Sequence, residues 1–267
     1  TQDLGTAVER FREYSLDDIV YVVGNEQEYH FQVLRKLLGR LGYSWSERIF
    51  HLSYGMITLP EGKMKSREGT VVDADDLIAE LIAEAARIGQ EQGKAAELDV
   101  ATAAEIYRQV GLGALKYFML KIDPVKGMQF NPKESVDFNG NTGPFLQYTC
   151  ARAQSILNKL PELSKTVCGL SEPIVGTSFN RYERVVLLAL HEYGRVVAEA
   201  AAKLSPAVVA NYVYDLACRF NQFYHECPIA RESDPKVQQQ RLLLTSTTLK
   251  VLRSALLLLG IETPEQM

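Results

Sequence analysis

The sequence predicts an α/β segment followed by an all-α helical bundle. Three observations carry this. Near the start a nearly continuous apolar run, Ile19-Val20-Tyr21-Val22-Val23, ends at Gly24 between two stretches of helical periodicity. Helix, strand and helix in that order are the rhythm of a parallel sheet, and such a run suits a strand buried on both faces. Later in the chain, apolar residues recur every three or four positions and strand patterns are scarce. Between the two lies a turn-rich stretch from Lys126 to Gly143, with Asn131-Pro132 and then Phe138-Asn139-Gly140-Asn141-Thr142-Gly143. The domain boundary is placed there, with residues 1–142 in the first domain and 143–267 in the second.

Thr1 can cap a first helix, with Asp3 in its first turn and Leu4, Val8 and Phe11 as its apolar stripe. After the strand, a second helix is expected from about Glu28 to Leu41, stopped by Gly42. Arg48 to Tyr54 reads as another strand. Asp73 and Asp75 are candidate caps for a helix carrying Leu77, Ile78, Leu81, Ile82, Ala85 and Ile88. Asp99 can cap the next, which Asp123-Pro124 breaks. The remainder reads as four helices. The first runs from Pro144 to about Leu160, and one continuous helix is expected over Tyr182–Ala200. A third opens at Ser205-Pro206, its inner face formed by Val209, Tyr212, Val213, Leu216, Phe220, Phe223 and Tyr224. The last extends from about Lys236 to Leu259.

The chain has 267 residues, a formal net charge of −4, 46% hydrophobic and 23% charged residues. That is a globular composition, and it excludes bulk electrostatic adhesion to nucleic acid while leaving room for a local basic face. No apolar run approaches the ~20 residues of a membrane span, and no secretory signal is seen. Cys150, Cys168, Cys218 and Cys227 form no CxxC pair. They are read as reduced thiols of a cytoplasmic protein, and not as zinc ligands.

The most informative stretch is Lys63-Met64-Lys65-Ser66-Arg67, three cations and a hydroxyl bracketed by Gly62 and Gly69. Such a loop can neutralise charge growing on a departing pyrophosphate. On charge alone it reads first as a solvated basic turn.

Gly62 to Val72 resembles the KMSKS loop of class I aminoacyl-tRNA synthetases, in the version found in arginyl-tRNA synthetases. Thr1-Gln2-Asp3-Leu4-Gly5 resembles the end of that family's Y-x-T-R-D motif. Tyr21 to Phe31 resembles its V-G-x-x-Q-x-x-H strand, loop and helix. Gly143-Pro144-Phe145-Leu146-Gln147-Tyr148 with Ala151-Arg152 resembles the opening of its anticodon-binding domain, and the ending Leu259 to Met267 resembles its terminus. The family's HIGH motif has no counterpart. The resemblance thus implies the C-terminal part of such an enzyme, with the second half of a Rossmann-like nucleotide-binding domain and a helical anticodon domain. The loop departs from the family by placing Ser66 where the second lysine is expected, and Gln2 stands in place of an arginine.

The resemblance implies roles for single residues. Lys63 and Lys65 become catalytic, and His30, Lys63, Met64, Lys65, Ser66 and Arg67 ATP-binding. Asp3 and Gln27 would take the arginine substrate, a carboxylate being the natural partner of a guanidinium. Phe145, Tyr148, Arg152 and Met267 would meet the anticodon, since aromatic and guanidinium faces suit unstacked bases. Each also has a plainer reading: Asp3 as a helix-dipole residue, Gln27 as a cap, His30 as a surface histidine, Phe145 as core, Met267 as a frayed end. The whole enzyme would join arginine to its tRNA at the expense of ATP, with magnesium accompanying ATP, as a monomer with no membrane contact. This span alone is expected to bind tRNA without catalysis. Alternatives are a free-standing tRNA-binding module or part of another class I synthetase with a similar helical domain.

Overall fold

A computed structural model describes residues 2–59, 62–63, 73–91, 99–168 and 178–267. The expected cap Thr1 and most of the cationic loop lie outside these residues. The chain divides into two compact units, Thr1–Met64 with Ile122–Gln129, and Lys65–Lys121 with Phe130–Met267. No helix among the described residues is long and apolar enough to cross a membrane.

The first unit opens with α1 (Gln2–Tyr14), β1 (Ile19–Gly24), a 3-10 turn (Asn25–Gln27) and α2 (Glu28–Arg40). A second 3-10 turn (Ser44–Arg48) leads into β2 (Ile49–Tyr54). β1 and β2 pair in parallel from Ile19↔Ile49 to Gly24↔Tyr54. Ala7, Phe31, Leu34, Leu38 and Ile49 form the buried core, against which Leu4, Val8 and Phe11 of the expected stripe pack. Trp45 stacks on Phe11 with ring centroids 4.1 Å apart.

The expectation of a strand buried on both faces is corrected. Ile19, Tyr21 and Val23 face the helices, whereas Val20 and Val22 on the other face are 42% and 63% exposed, as is Phe50 of β2 at 42%. Only one face of this strand pair is covered among the described residues. Parallel strands ordinarily need cover on both sides.

Three short strands complete the unit: β3 (Ile57–Leu59), β4 (Gly62–Lys63) and β5 (Met128–Gln129). β3 runs antiparallel to β4 and parallel to β5. β5 falls in the stretch read as turns, because two residues are too few to show a period.

The second unit is helical: α3 (Ala74–Glu91), α4 (Val100–Leu120), α5 (Pro132–Ser135), α6 (Gly143–Lys159), α7 (Pro161–Cys168), α8 (Arg181–His191), α9 (Tyr193–Lys203), α10 (Pro206–Glu226) and α11 (Pro235–Leu258). Asp99 caps α4 as expected, accepting from the backbone N–H of Ala101 and Thr102. Thr142, Asn180 and Asp234 cap α6, α8 and α11. The single helix expected over Tyr182–Ala200 is two, parted at Glu192. The apolar stripe continues across the break, so periodicity does not register it. Tyr117, Leu146, Phe220, Phe223, Leu242, Leu252 and Leu256 form the fully buried centre. Glu183 and Arg241 add a buried ion pair at 2.7 Å, linking the start of α8 to α11.

Where α4 crosses α6, two glycines meet. A Cβ on Gly143 would lie 2.3 Å from the carbonyl oxygen of Gly113, and one on Gly113 would lie 2.6 Å from the Gln147 amide. A side chain at either position forces the helices apart. Gly143→Ala should therefore destabilise the chain by about 1–3 kcal/mol, the usual cost of overpacking. Gly140→Ala, whose Cβ would meet nothing closer than 3.6 Å, serves as the control. Thermal unfolding checks this, and equal midpoints for the two variants would contradict it.

Candidate functional site

In the first unit, Asp3 lies in the first turn of α1 and His30 in the first turn of α2. The structure brings them together: His30 Nε2 is 2.8 Å from Asp3 Oδ2, and each side chain is about half exposed, at 49% and 51%. The neighbouring Phe31 anchors this turn. It is buried and stacks on His51, with ring centroids 4.6 Å apart. The pair sits just beyond the carboxyl end of β1, where open α/β sheets take their ligands. Gln27 ends the 3-10 turn that follows β1. It is exposed, and its side chain does not cap α2, which sets aside the plainer reading of that amide.

The cationic loop enters this picture only at its edge. The backbone of Lys63 pairs with Thr58 in the β3–β4 ladder. Met64, Lys65, Ser66 and Arg67 lie outside the described residues.

In the second unit, Tyr148 and Arg152 share a face of α6, one turn apart. The Arg152 guanidinium lies 4.8 Å from the Tyr148 ring centroid and 5.5 Å from that of Tyr224 on α10. Its Nη1 donates to Asn221 Oδ1, and Asn221 Nδ2 donates to Thr149 Oγ1 at 3.0 Å. A cation held between two rings and oriented by an amide is pre-set in position.

A cleft of about 620 Å³ opens beside this stack. Ser155, Asn158 and Lys159 of α6 line it, and Glu265, Gln266 and Met267 form another wall. Phe145 is not among the lining residues. It packs against the core beside Tyr214, with ring centroids 5.6 Å apart.

Sequence reasoning missed Asn221 and misplaced Tyr224, which was expected inside. Tyr224 is 40% exposed, while its neighbour Phe223 is fully buried. The only local signal is the polar Asn221 within the apolar pattern of α10. The partnership with α6, about 70 residues earlier, has no spacing to betray it.

The C-terminal tail is tied down by α4 and α6. Gly260, at φ +67°, turns the chain out of α11. Lys116 Nζ donates to the Gly260 carbonyl at 2.5 Å. Gln147, fully buried, donates its Nε2 to the carbonyls of Glu262 at 2.8 Å and Gln109 at 2.9 Å. Arg108 Nη2 reaches the Glu262 carboxylate and that of Glu105, both at 2.7 Å. Hydrogen bonds from Arg108 and then Gln109 hold the Glu105 carboxyl at about 2, so it stays ionised beside its partner. Ile261 is buried at 2% exposure.

Rings, a guanidinium, hydroxyls and amides around one cleft can stack on and hydrogen-bond an unstacked planar ring. Comparison with known proteins agrees with the motifs. The family described as the tRNA synthetases class I (R) catalytic domain matches residues 1–131, and the DALR anticodon binding domain matches residues 146–267. The arginine–tRNA ligase of Parabacteroides distasonis is 52% identical over 267 residues, which are 100% of this chain and 44% of that protein. That of Bacteroides fragilis is 52% identical over 270 residues, with the same coverage of 100% and 44%.

Among solved structures, the Thermus thermophilus arginyl-tRNA synthetase matches with a TM-score of 0.81 and 30% identity, over 94% of this chain and 41% of that one. The Plasmodium falciparum arginyl-tRNA synthetase shares the fold, with a TM-score of 0.78 at 20% identity, over 99% of this chain and 44% of that one. The chain thus spans less than half the length of each of these four relatives. Two family matches in succession, and identity above one half along the whole chain, show that it belongs to the arginyl-tRNA synthetase family.

Proposed function

We propose that this chain supplies the anticodon-reading part and the KMSKS-side part of an enzyme that activates arginine with ATP and attaches it to its tRNA. The cleft beside Tyr148, Arg152, Tyr224 and Met267 is the observation that carries this reading. Residues 143–267 would read the anticodon loop there. An unstacked base is stacked by the tyrosines and met by the guanidinium and the amides of the walls. Phe145 would support α6 from the core side and not touch RNA.

Residues 1–142 would serve the substrates. The Asp3 carboxylate, steadied by His30, and the exposed Gln27 amide suit the forked donors of an arginine side chain. His30 would lie near the adenosine moiety. Lys63 and Lys65, with Met64, Ser66 and Arg67, would stabilise charge on the leaving pyrophosphate. No residue of this sequence is proposed for the role of the HIGH motif, so this span alone is expected to bind tRNA and not to complete the reaction. Among the described residues no His, Cys, Asp or Glu group could hold a metal ion. Magnesium is proposed to accompany ATP. The cytoplasm and a monomeric state complete the proposal.

Tyr148→Ala should weaken binding of an arginine-tRNA transcript by about 1–3 kcal/mol, the worth of one base stacked on an aromatic ring, with the thermal midpoint nearly unchanged. Loss of cooperative unfolding instead would make Tyr148 a core residue and overturn its assignment. Lys63→Ala, made in a longer arginyl-tRNA synthetase carrying this span, should slow adenylate formation more than it weakens arginine binding. Equal losses in both would contradict a transition-state role for the loop.

A further inference from the structure

The tail wall of the cleft is not held by the anticodon-binding span alone. Residues 259–267 belong to the stretch matched by the DALR family, as does Gln147, whereas Arg108, Gln109 and Lys116 of α4 fall within the stretch matched by the catalytic family. Three tethers converge on Gly260 and Glu262: the Lys116 ammonium on one carbonyl, the Gln147 amide on the other, and the Arg108 guanidinium on the Glu262 carboxylate. Gln147 is itself pinned, its second donor spent on the Gln109 carbonyl of α4. The α4–α6 glycine contact sets the distance that lets one amide reach both carbonyls. Three residues beyond Glu262, the chain enters the cleft as Glu265, Gln266 and Met267.

We infer that α4 positions the cleft's tail wall, with Arg108 and Gln147 acting as positioning residues that hold Met267 against the Tyr148–Arg152 face. This rests on the reading of the cleft as an RNA site. Neither residue is among those lining the cleft. Their effect on binding must pass through the tail, and this separates the inference from a direct contact with RNA.

A double-mutant cycle on the whole chain tests it, read out as the dissociation constant for an arginine-tRNA transcript across a salt series. The four proteins are the unaltered chain, Arg108→Ala, the chain lacking residues 265–267, and the combination. Arg108 and Glu262 are 38% and 52% exposed, so Arg108→Ala leaves no buried cavity, and far-UV circular dichroism verifies the fold. Arg108→Ala should weaken binding about two- to fivefold, the range of an exposed ion pair. In the truncated chain it should change nothing, and the salt slope should be the same in all four.

Additive losses, or a salt slope shallower by about 0.7–0.9, would make Arg108 a phosphate ligand and overturn the inference. No loss from Arg108→Ala in the full chain, where truncation does weaken binding, would overturn it equally. If truncation itself leaves binding unchanged, the cleft is not the RNA site, and the underlying reading fails first.

Discussion

Between α4 and α6 there is no room for a methyl group, and much of the second unit's geometry follows from that contact. With Gly113 and Gly143 back to back, the helices lie close enough for the Gln147 amide to bridge the backbone of α4 and that of the tail. Both donors of this buried amide find carbonyls, while its Oε1 has no hydrogen-bond partner among the described residues. Losing either carbonyl would leave a buried donor unpaired as well, which costs more than the bond contributes. Remove the close approach, and the amide reaches one carbonyl but not both. The tail then loses its register, and the cleft loses a wall.

With Gln147 turned toward α4, the other side of α6 carries Tyr148 and Arg152, and Arg152 reaches Asn221 and Tyr224 of α10. Consecutive residues point to different sides of a helix, so a helix fixed by its buried side has its outer side fixed as well. Asn221 and Thr149 extend that order by bonding the Arg152 guanidinium through a short polar chain. A net charge of −4 is no obstacle to this kind of recognition. Stacking and hydrogen bonding to a base depend on local shape, while bulk charge governs only long-range attraction.

How much of this was legible in the sequence varied with the range of the interactions. Helix starts were readable where a cap sits beside its helix, as with Asp99 before α4. At α10 it is Pro206 at the first helical position that marks the start, since the Ser205 side chain makes no capping bond there. Tyr148 and Arg152 were readable because one helical turn separates them. Tyr224 was misplaced because its i+4 spacing from Phe220 fits the inner face, whereas the ring is 40% exposed and lies beside the Arg152 guanidinium of α6. The α8–α9 break at Glu192 is silent because the apolar stripe runs through it. Gly111 and Gly113 lie within α4, where no turn or loop asks for glycine. They allow close packing, Gly111 on Ile82 and Gly113 on Gln147. In the first unit, Asp3 and His30 were assigned separate tasks, and their 2.8 Å contact depends on two helices meeting 27 residues apart.

The central claim is that the helical unit reads bases and does not merely attract phosphates. It is tested most directly by binding this chain to an arginine tRNA and to the same tRNA with an altered anticodon, across a salt series. The account predicts tighter binding to the correct anticodon at every salt concentration, with a ratio that persists as overall affinity falls. Equal binding to both, fading together as salt rises, would reduce the interaction to counterion release and contradict it.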